Sequence, residues 1–221
     1  MINKKDKMQL IFTFDDGPTE YMLKIAADFE KYGGHATFFV IGDKINEKTA
    51  EFMKTVISNG HEIACHGQTH GFGANPTYES VYREIDEGIK TINKFIPDYE
   101  VKYYRSAGLN QNEFMWQILP SKIKLPAISC AYNPGDWRSE VTKEDIKDRL
   151  ISRILSDEII DGDILLAHEQ NTTTDIFPRI LEILYNKGYG FCTISEYLKY
   201  NGINYNDLLK PKMIKNIKNN I

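Results

Sequence analysis

The sequence contains little cysteine and no excess of positive charge. Its three cysteines, Cys65, Cys130 and Cys192, are far apart and odd in number, which fits reduced thiols better than a disulfide framework. The formal net charge of -4 disfavours a nucleic-acid partner, because binding to phosphates requires clustered lysine and arginine side chains. With 42% hydrophobic and 26% charged residues, the composition is that of an ordinary globular protein rather than a disordered or fibrous one.

Long apolar runs, repeats and linkers are also missing. The apolar run at residues 10–14 is too short for a signal-peptide core or a membrane span, so we expect no membrane-spanning segment and a cytoplasmic location. No Pro-, Gly- or Ser-rich stretch divides the 221 residues, which predicts a single domain. We place this domain at residues 8–200 and expect residues 201–221, which carry several lysines, to be a frayed or peripheral extension. The sequence does not indicate an oligomeric state.

Apolar segments with strand character alternate with segments of helical periodicity. The predicted strands cover residues 8–14, 36–41, 61–65, 101–105, 127–132, 164–168 and 190–194. The clearest predicted helix contains Val81, Ile85 and Ile89 at a spacing of four residues. We expect this helix to be capped at Asn75 and Pro76. Crossover helices imply parallel pairing and continuous apolar runs imply strands covered on both faces, so the pattern predicts an α/β fold, either a β/α barrel or an open sheet.

Most side chains that can perform chemistry directly follow the predicted strands. Asp15 and Asp16 follow the first strand, His66 and His70 the third, Arg105 ends the fourth, Asp136 and Trp137 follow the fifth, and His168 ends the sixth. Barrels and open α/β sheets carry their functional sites at the carboxyl ends of the strands. These side chains are therefore predicted to lie in one site.

Asp16, His66 and His70 form the best candidate for a metal site. One carboxylate with two imidazoles is a common three-ligand set for a catalytic divalent ion, and it leaves a coordination position open for water or substrate. The spacing of the two histidines lets both rings point the same way, either in a helical turn or in a tight loop at Gly67. The alternative is that the histidines are surface loop residues and that Asp15 and Asp16 only form a turn.

Two continuous stretches of the sequence form recognisable motifs. Residues 13–18 read Thr-Phe-Asp-Asp-Gly-Pro, and residues 166–168 read Leu-Ala-His. Together with the pair His66 and His70, these stretches resemble the polysaccharide deacetylases, which are carbohydrate esterase family four and share the NodB-like domain. The likeness extends over residues 8–200.

The chain departs from the family pattern at three places. Gly67 stands where the paired-histidine motif has serine or threonine, so a hydrogen bond that braces this loop is expected to be lost. Arg105 is followed by Ser-Ala-Gly at residues 106–108 instead of a proline and an aromatic residue, which alters the expected substrate groove. Of the motif at residues 133–137, which begins with Asn133, only the second half, Asp-Trp, is intact.

The resemblance implies a fold, a metal and a set of roles. The fold is a single-domain, distorted seven-stranded parallel (β/α) barrel, and the metal is zinc, or alternatively cobalt, held by Asp16, His66 and His70. In the implied roles, Asp15 is the general base, and Arg105 holds Asp15 ionised. His168 is the general acid, and Asp136 raises the basicity of His168. A backbone N–H near Gly108 stabilises the oxyanion, and Trp137 forms an apolar wall for the substrate.

The implied activity is metal-dependent removal of acetyl groups from a carbohydrate. The expected substrates are oligo- or polysaccharides that contain N-acetylglucosamine, although the sequence does not distinguish N-acetyl from O-acetyl groups. Two alternatives are left open. Relatives in the superfamily open cyclic amides or ureides of small metabolites, and a protein with this fold can bind carbohydrate without catalysing a reaction. The joint presence of the candidate base, acid and metal ligands argues against this inactive alternative.

Overall fold

A parallel β-sheet forms the centre of the structure, a computed structural model that describes residues 8–156 and 158–218. The regular strands are β1 (Gln9–Gly17), β2 (Thr37–Val40), β3 (Glu62–Cys65), β4 (Ile164–His168) and β5 (Gly190–Phe191). Their order is β3-β2-β1-β4, and β5 pairs with the first residues of β1. All of these pairs are parallel, as the crossover helices between the strands predict.

Isolated β-bridges close this sheet into a distorted barrel. Tyr104 pairs in parallel with Cys65 at the end of β3, and on its other side it pairs with Ala127. Further along the same segment, Tyr132 pairs in parallel with Leu165 of β4. The chain therefore returns to β4, and through β4 to β1, so that the fold is the expected single-domain α/β barrel.

The predicted strands at residues 101–105 and 127–132 contribute only these bridges and are not regular strands. Along the second segment the pairing partner changes from Tyr104 to Ile214 and then to Leu165. A regular ladder requires one partner strand over consecutive residues, so none forms here. The irregular half of the barrel is the source of its distortion.

The C-terminal tail differs from the expected frayed or peripheral extension. Ile214 and Ile217 are completely buried. The Ile214 backbone N–H donates to the carbonyl of Ala127 at 2.8 Å, and the N–H of Ile164 donates to the carbonyl of Lys215 at 3.1 Å. The apolar side chains of the tail thus fill the space beside the irregular half of the barrel, while its lysines remain exposed. Residues 219–221 lie outside the described part of the chain.

Helices surround the barrel. In the described residues they are α1 (Tyr21–Glu30), α2 (Glu47–Ser58), α3 (Tyr78–Phe95), α4 (Glu113–Ile118), α5 (Lys143–Leu155), α6 (Asn171–Asn186) and α7 (Ile194–Asn201). The expected cap of α3 at Asn75 is wrong, because Thr77 caps the helix. Its hydroxyl accepts from the N–H of Ser80, and the Ser80 hydroxyl accepts from the N–H of Thr77. No helix among the described residues is long and apolar enough to span a membrane.

Alternation along β1 directs successive side chains either to the apolar layer under the helices or into the barrel interior. Phe14 points outward and packs edge-to-face against Phe177 of α6, with ring centroids 5.0 Å apart. Thr13 and Asp15 point to the opposite face, where both contact the guanidinium of Arg105. The pleat of β1 therefore directs a carboxylate into the barrel interior at the end of the strand.

Candidate active site

A cavity of about 340 Å³ collects most of the predicted site residues. Its walls include Asp15, Asp16, His66, His70, Gly108, Trp137 and His168. Arg105 and Asp136 are 0% and 3% exposed and lie behind this wall, each bonded to a residue that lines it. The structure thus brings every residue predicted for the site to one place.

The candidate metal ligands converge at one side of the cavity. One ligand atom from each of Asp16, His66 and His70 lies within 4.8 Å of the other two. Asp16 Oδ1 is 2.9 Å from His70 Nε2 and 3.5 Å from His66 Nε2. This oxygen is buried, yet within the described chain it has no hydrogen-bond partner. A buried carboxylate oxygen that faces two imidazole nitrogens without a hydrogen bond fits a site for a cation.

The charges of these ligands favour metal binding, and two of the ligands have unusual backbone conformations. Asp16 and His70 adopt left-handed backbone conformations, with φ angles of 68° and 75°. Burial raises the pKa of Asp16, but the contacts with His66 and His70 outweigh it and lower the pKa to about 2. Burial also lowers the pKa of His70. An ionised carboxylate and a neutral imidazole are the forms that bind metal.

The tautomer of His66 follows from its hydrogen bond. His66 Nδ1 lies 2.8 Å from the backbone carbonyl oxygen of Arg105, which can only accept. The proton of the neutral ring is therefore on Nδ1, and Nε2 presents its lone pair toward Asp16. Histidine ligands of metals typically donate from the nitrogen that does not face the metal to a carbonyl of this kind.

Asp15 is held by a buried arginine. Arg105 Nη1 donates to Asp15 Oδ1 at 2.7 Å and to Thr13 Oγ1 at 2.8 Å, and Nη2 donates to the Ser129 carbonyl at 2.8 Å. The other carboxylate oxygen of Asp15 lies 3.6 Å from His66 Nε2. One oxygen of Asp15 is thus fixed by Arg105, while the second borders the candidate metal site.

His168 and Asp136 form a second charged pair at the cavity. His168 Nδ1 lies 2.7 Å from Asp136 Oδ1, and Asp136 Oδ2 accepts from the His168 backbone N–H and from the Thr173 hydroxyl. Burial would lower the pKa of His168, but the hydrogen bond and the charge of Asp136 outweigh burial and raise it. Because Nδ1 is bonded to Asp136, Nε2 is the nitrogen that remains for a substrate.

Glu84 of α3 holds the loop that carries His66 and His70 in place. This role was not predicted from the sequence. Its Oε1 accepts from the backbone N–H groups of Thr69 and His70 at 2.8 and 3.1 Å, and its Oε2 accepts from the Thr69 hydroxyl at 2.9 Å. A Cβ atom at Gly67, whose φ angle is +87°, would collide with this carboxylate. Gly67 has no hydroxyl to hold the loop, and the hydrogen bonds of Glu84 to Thr69 and His70 hold it instead. The sequence signal was an acidic residue on the apolar face of a helix, next to Ile85.

Glu169 is a second missed residue, and it braces the loop after β1. Its Oε2 accepts from the backbone N–H and the hydroxyl of Thr19 at 2.8 and 2.9 Å. Burial raises the pKa of Glu169 to about 8, although the bonds from Thr19 oppose this shift. A Cβ atom at Gly17 would collide with the Glu169 carboxyl group, so the loop approaches the carboxyl group closely. The signal available in the sequence was that Glu169 directly follows His168, which ends a predicted strand.

Trp137 and the turn around Gly108 border the mouth of the cavity. Trp137 is 57% exposed, so its indole is available to a ligand. Gly108 and Leu109 both have positive φ angles, 57° and 56°, and a Cβ atom at Gly108 would meet no atom within 4 Å. The turn leaves open space where a larger residue would narrow the entrance.

Comparison with known sequences identifies the family. A sequence profile described as Polysaccharide deacetylase matches residues 2–122. The bifunctional xylanase/deacetylase of Pseudobutyrivibrio xylanivorans is 32% identical over 219 residues, which are 98% of this chain and 34% of that protein. A peptidoglycan-N-acetylglucosamine deacetylase of Bacillus cereus is 28% identical over 197 residues, which are 86% of this chain and 88% of that protein.

A solved structure agrees with the profile. The Xyl-CE4 domain of a multidomain xylanase from the hindgut metagenome of Trinervitermes trinervoides superposes with a TM-score of 0.82 at 28% identity, covering 95% of this chain and 98% of that one. The chain therefore belongs to the polysaccharide deacetylase family. It spans about a third of the length of the Pseudobutyrivibrio protein.

Proposed function

We propose that this chain is a metal-dependent hydrolase that removes acetyl groups from a carbohydrate. The observation that carries the proposal is that one cavity joins a buried, arginine-bound carboxylate, a candidate metal triad and a histidine whose pKa is raised. A base, a cation site and an acid are the groups that metal-assisted hydrolysis of an acyl group by water uses. Named relatives that act as deacetylases support the same conclusion.

The metal in this proposal is held by Asp16, His66 and His70. Zinc suits one carboxylate with two imidazoles, and cobalt is the alternative. When bound, such an ion supplies Lewis acidity to the acetyl carbonyl and makes a coordinated water easier to deprotonate. Asp16 Oδ1, which is buried without a hydrogen bond, and the Nδ1 tautomer of His66 support this assignment from the protein side.

Asp15 acts as the general base in this proposal. Arg105 fixes one oxygen of its carboxylate, and the other oxygen borders the metal triad, where it takes the proton of the attacking water. Arg105 itself is buried and does not line the cavity, so its role is to orient Asp15. Water is the nucleophile, and no covalent intermediate with the protein forms.

His168 acts as the general acid. Asp136 orients the ring through Nδ1 and raises the pKa of His168, so that the protonated ring donates from Nε2 to the leaving nitrogen or oxygen. Trp137 offers an apolar wall to the sugar or its acetyl methyl group. A backbone N–H near Gly108 is the candidate donor to the oxyanion.

The proposed substrate is an oligo- or polysaccharide that contains N-acetylglucosamine. The Bacillus relative is named for that sugar in peptidoglycan, whereas the Pseudobutyrivibrio relative combines a deacetylase with a xylanase, so an O-acetyl ester is the second candidate. Ring opening of a cyclic amide remains the alternative reaction, and binding without catalysis the alternative class. The cytoplasmic location stays a prediction from the sequence.

The test is acetate release from N-acetylglucosamine oligomers, peptidoglycan and acetylated xylan, with cyclic imides in parallel and zinc or cobalt added. Wild type, Asp15→Asn and, as a matched control at an exposed position, Asp148→Asn are compared. We expect acetate from a glycan with the wild type and Asp148→Asn, and a loss of about 10²-fold or more with Asp15→Asn.

The other outcomes contradict the proposal in different ways. Ring opening of an imide without acetate release would identify an amidohydrolase. Binding of glycans without turnover by the metal-loaded wild type would identify an inactive carbohydrate-binding protein. Activity that survives exhaustive chelation would exclude the metal triad from the reaction.

A further inference from the structure

A second cavity, of about 480 Å³, adjoins the catalytic cavity. Asn133 and Trp137 line both cavities, so the two share a wall. Beyond this wall the second cavity is lined by Tyr132 and by two exposed arginines, Arg138 and Arg149. A ligand longer than one sugar unit that occupies the catalytic cavity can therefore extend past Trp137 toward two positive charges.

The two arginines converge over Gly135. A Cβ atom placed on this glycine, whose φ angle is +78°, would lie 3.6 Å from Arg138 Cδ and 3.6 Å from Arg149 Nη1. Arg149 Nη1 donates to the Pro134 carbonyl at 3.0 Å, and the Arg138 guanidinium lies 5.1 Å from the ring centroid of Trp137. Contacts with a carbonyl and an aromatic ring hold the guanidinium groups in place without neutralising them.

Among the described residues, no acidic side chain forms an ion pair with either arginine, although the charge of Asp145 acts on Arg149 at longer range. In the described part of the chain, the arginines with a carboxylate oxygen within 4.0 Å are Arg83, Arg105, Arg153 and Arg179, and neither cavity arginine is among them. The acid nearest in sequence to Arg149 on its helix face is Asp145, whose carboxylate is bonded to the backbone and hydroxyl of Thr142. The cavity therefore keeps a local positive charge on a chain whose net charge is -4.

We propose that the second cavity is a subsite for a sugar that carries a carboxylate and is linked to the acetylated sugar. Arginine binds carboxylates through parallel N–H donors, which gives this subsite a chemical preference. The exposed ring of Trp137 offers an apolar surface to the sugar between the two cavities. This inference rests on the proposed deacetylase function and adds an acidic glycan as the substrate class.

Two kinds of acidic glycan share this chemistry. One is acetylated xylan with uronic acid branches, and the other is a peptidoglycan strand freed of its peptides, in which the lactyl groups end in a carboxylate. Each is tested as a matched pair of oligosaccharides, one with the free carboxylate and one in which the carboxylate is reduced to the alcohol. The pair whose acidic and reduced members differ more in KM identifies which of the two glycans supplies the carboxylate.

The experiment measures KM and kcat of the metal-loaded protein for both pairs. The variants are Arg138→Gln, Arg149→Gln and their double variant, and Arg83→Gln is the control because Arg83 is exposed and paired with Glu79. We expect the wild type and the control to have a KM about fivefold lower for the acidic member of one pair, as for a partly exposed charge pair. The double variant should lose this difference with little change in kcat, and added salt should reduce it.

A direct measurement of oligosaccharide binding tests the subsite independently of turnover. Tryptophan fluorescence of wild type and double variant is titrated with the acidic and the reduced oligosaccharides. Equal affinity of the wild type for both members of each pair would overturn the subsite, even if acetate is released. Preference for the acidic member without acetate release would retain the subsite and overturn the deacetylase function. If the double variant keeps the preference, the two arginines are not its source.

Discussion

The guanidinium of Arg105 lies 2.7 Å from the carboxylate of Asp15, and both side chains are almost completely buried. Arg105 also donates to the Thr13 hydroxyl and to the carbonyl of Ser129, so it connects β1 with the irregular half of the barrel. The ring of Phe39 covers the guanidinium, with 4.0 Å between Cζ and the ring centroid. One ion pair therefore combines an electrostatic role at the base with a structural role in closing the barrel.

Replacing Arg105 should destabilise the fold as well as reduce activity. Arg105→Gln leaves the carboxylate of Asp15 buried without its partner, which costs about 3–5 kcal/mol in the free energy of unfolding. The double variant Asp15→Asn/Arg105→Gln should lose less than the sum of the two single changes, because no unpaired charge remains. Urea unfolding of all four proteins checks this, and strict additivity would show that the two side chains do not interact.

Asp136→Asn should change the pH dependence of catalysis. Asp136 raises the pKa of His168, so the acid stays protonated to a higher pH than an isolated histidine. Without the carboxylate the pKa falls, and the alkaline limb of kcat/KM moves to lower pH because less of the acid is protonated. Rate profiles of wild type, Asp136→Asn and the exposed control Asp148→Asn measure this shift. An unmoved alkaline limb would remove His168 from the role of general acid.

Glu84→Ala should weaken metal binding without removing a ligand. The carboxylate fixes the N–H groups of Thr69 and His70, so its loss frees the loop that orients His70. Supporting contacts of this kind change metal affinity by about 10–100-fold. Zinc affinity is measured by competition with a chelator, with Glu79→Gln on the exposed face of α3 as control and Glu84→Gln as the conservative variant. Unchanged affinity in Glu84→Ala would show that the loop holds its shape without this carboxylate.

Restoring the hydroxyl that the family has at position 67 should be harmful here. Gly67→Ser places a Cβ atom against Glu84 at a φ angle of +87°. Gly73→Ser is the matched control, because Gly73 has a similar φ angle of +74° but no atom within 4 Å of the added Cβ. Both changes carry backbone strain of about 1–3 kcal/mol, and only Gly67→Ser adds the clash. Equal melting temperatures for the two variants would contradict the clash.

Glu169→Gln should flatten the dependence of stability on pH. The folded pKa of Glu169 is about 8 against an ordinary value of 4.5, so the folded state binds a proton that the unfolded chain releases. Its contribution is complete below the unfolded pKa and is lost as the pH rises through the folded value. Thermal unfolding is followed between about pH 4 and about pH 9, with the exposed Glu140→Gln as control. An identical slope in wild type and Glu169→Gln would mean that Glu169 is ionised in the folded state.

Several residues of the candidate site could be predicted because they stand at or just after the end of a regular strand. Asp15, His66 and His168 follow buried apolar segments, and parallel strands bring their carboxyl ends together whatever the details of packing. The two supporting carboxylates could not be predicted in the same way. Glu84 and Glu169 bond to backbone N–H groups of distant loops, and those partners are known only once the loops are positioned.

The fold could be predicted where neighbouring strands pair over consecutive residues. It was harder to predict where the segments are joined by single bridges. The apolar runs at residues 127–132 and 101–105 have strand character, but the pairing of residues 127–132 involves a tail far away in the chain. Ile214 takes one of the pairing positions beside Ile128, and a sequence pattern read in local windows does not reveal this competition. The same long-range packing explains why the tail was wrongly expected to be frayed.

The two halves of the barrel differ in how many ladder hydrogen bonds join their strands. Asp15 and Asp16 stand on β1 and His66 directly follows β3, in the half built from regular strands, whereas Trp137 and the two cavity arginines belong to the half joined by single bridges or to the helix that follows it. Substitutions in the irregular half disturb few ladder hydrogen bonds. Evolution can therefore retune which glycan is accepted while the residues that hold the metal keep their geometry.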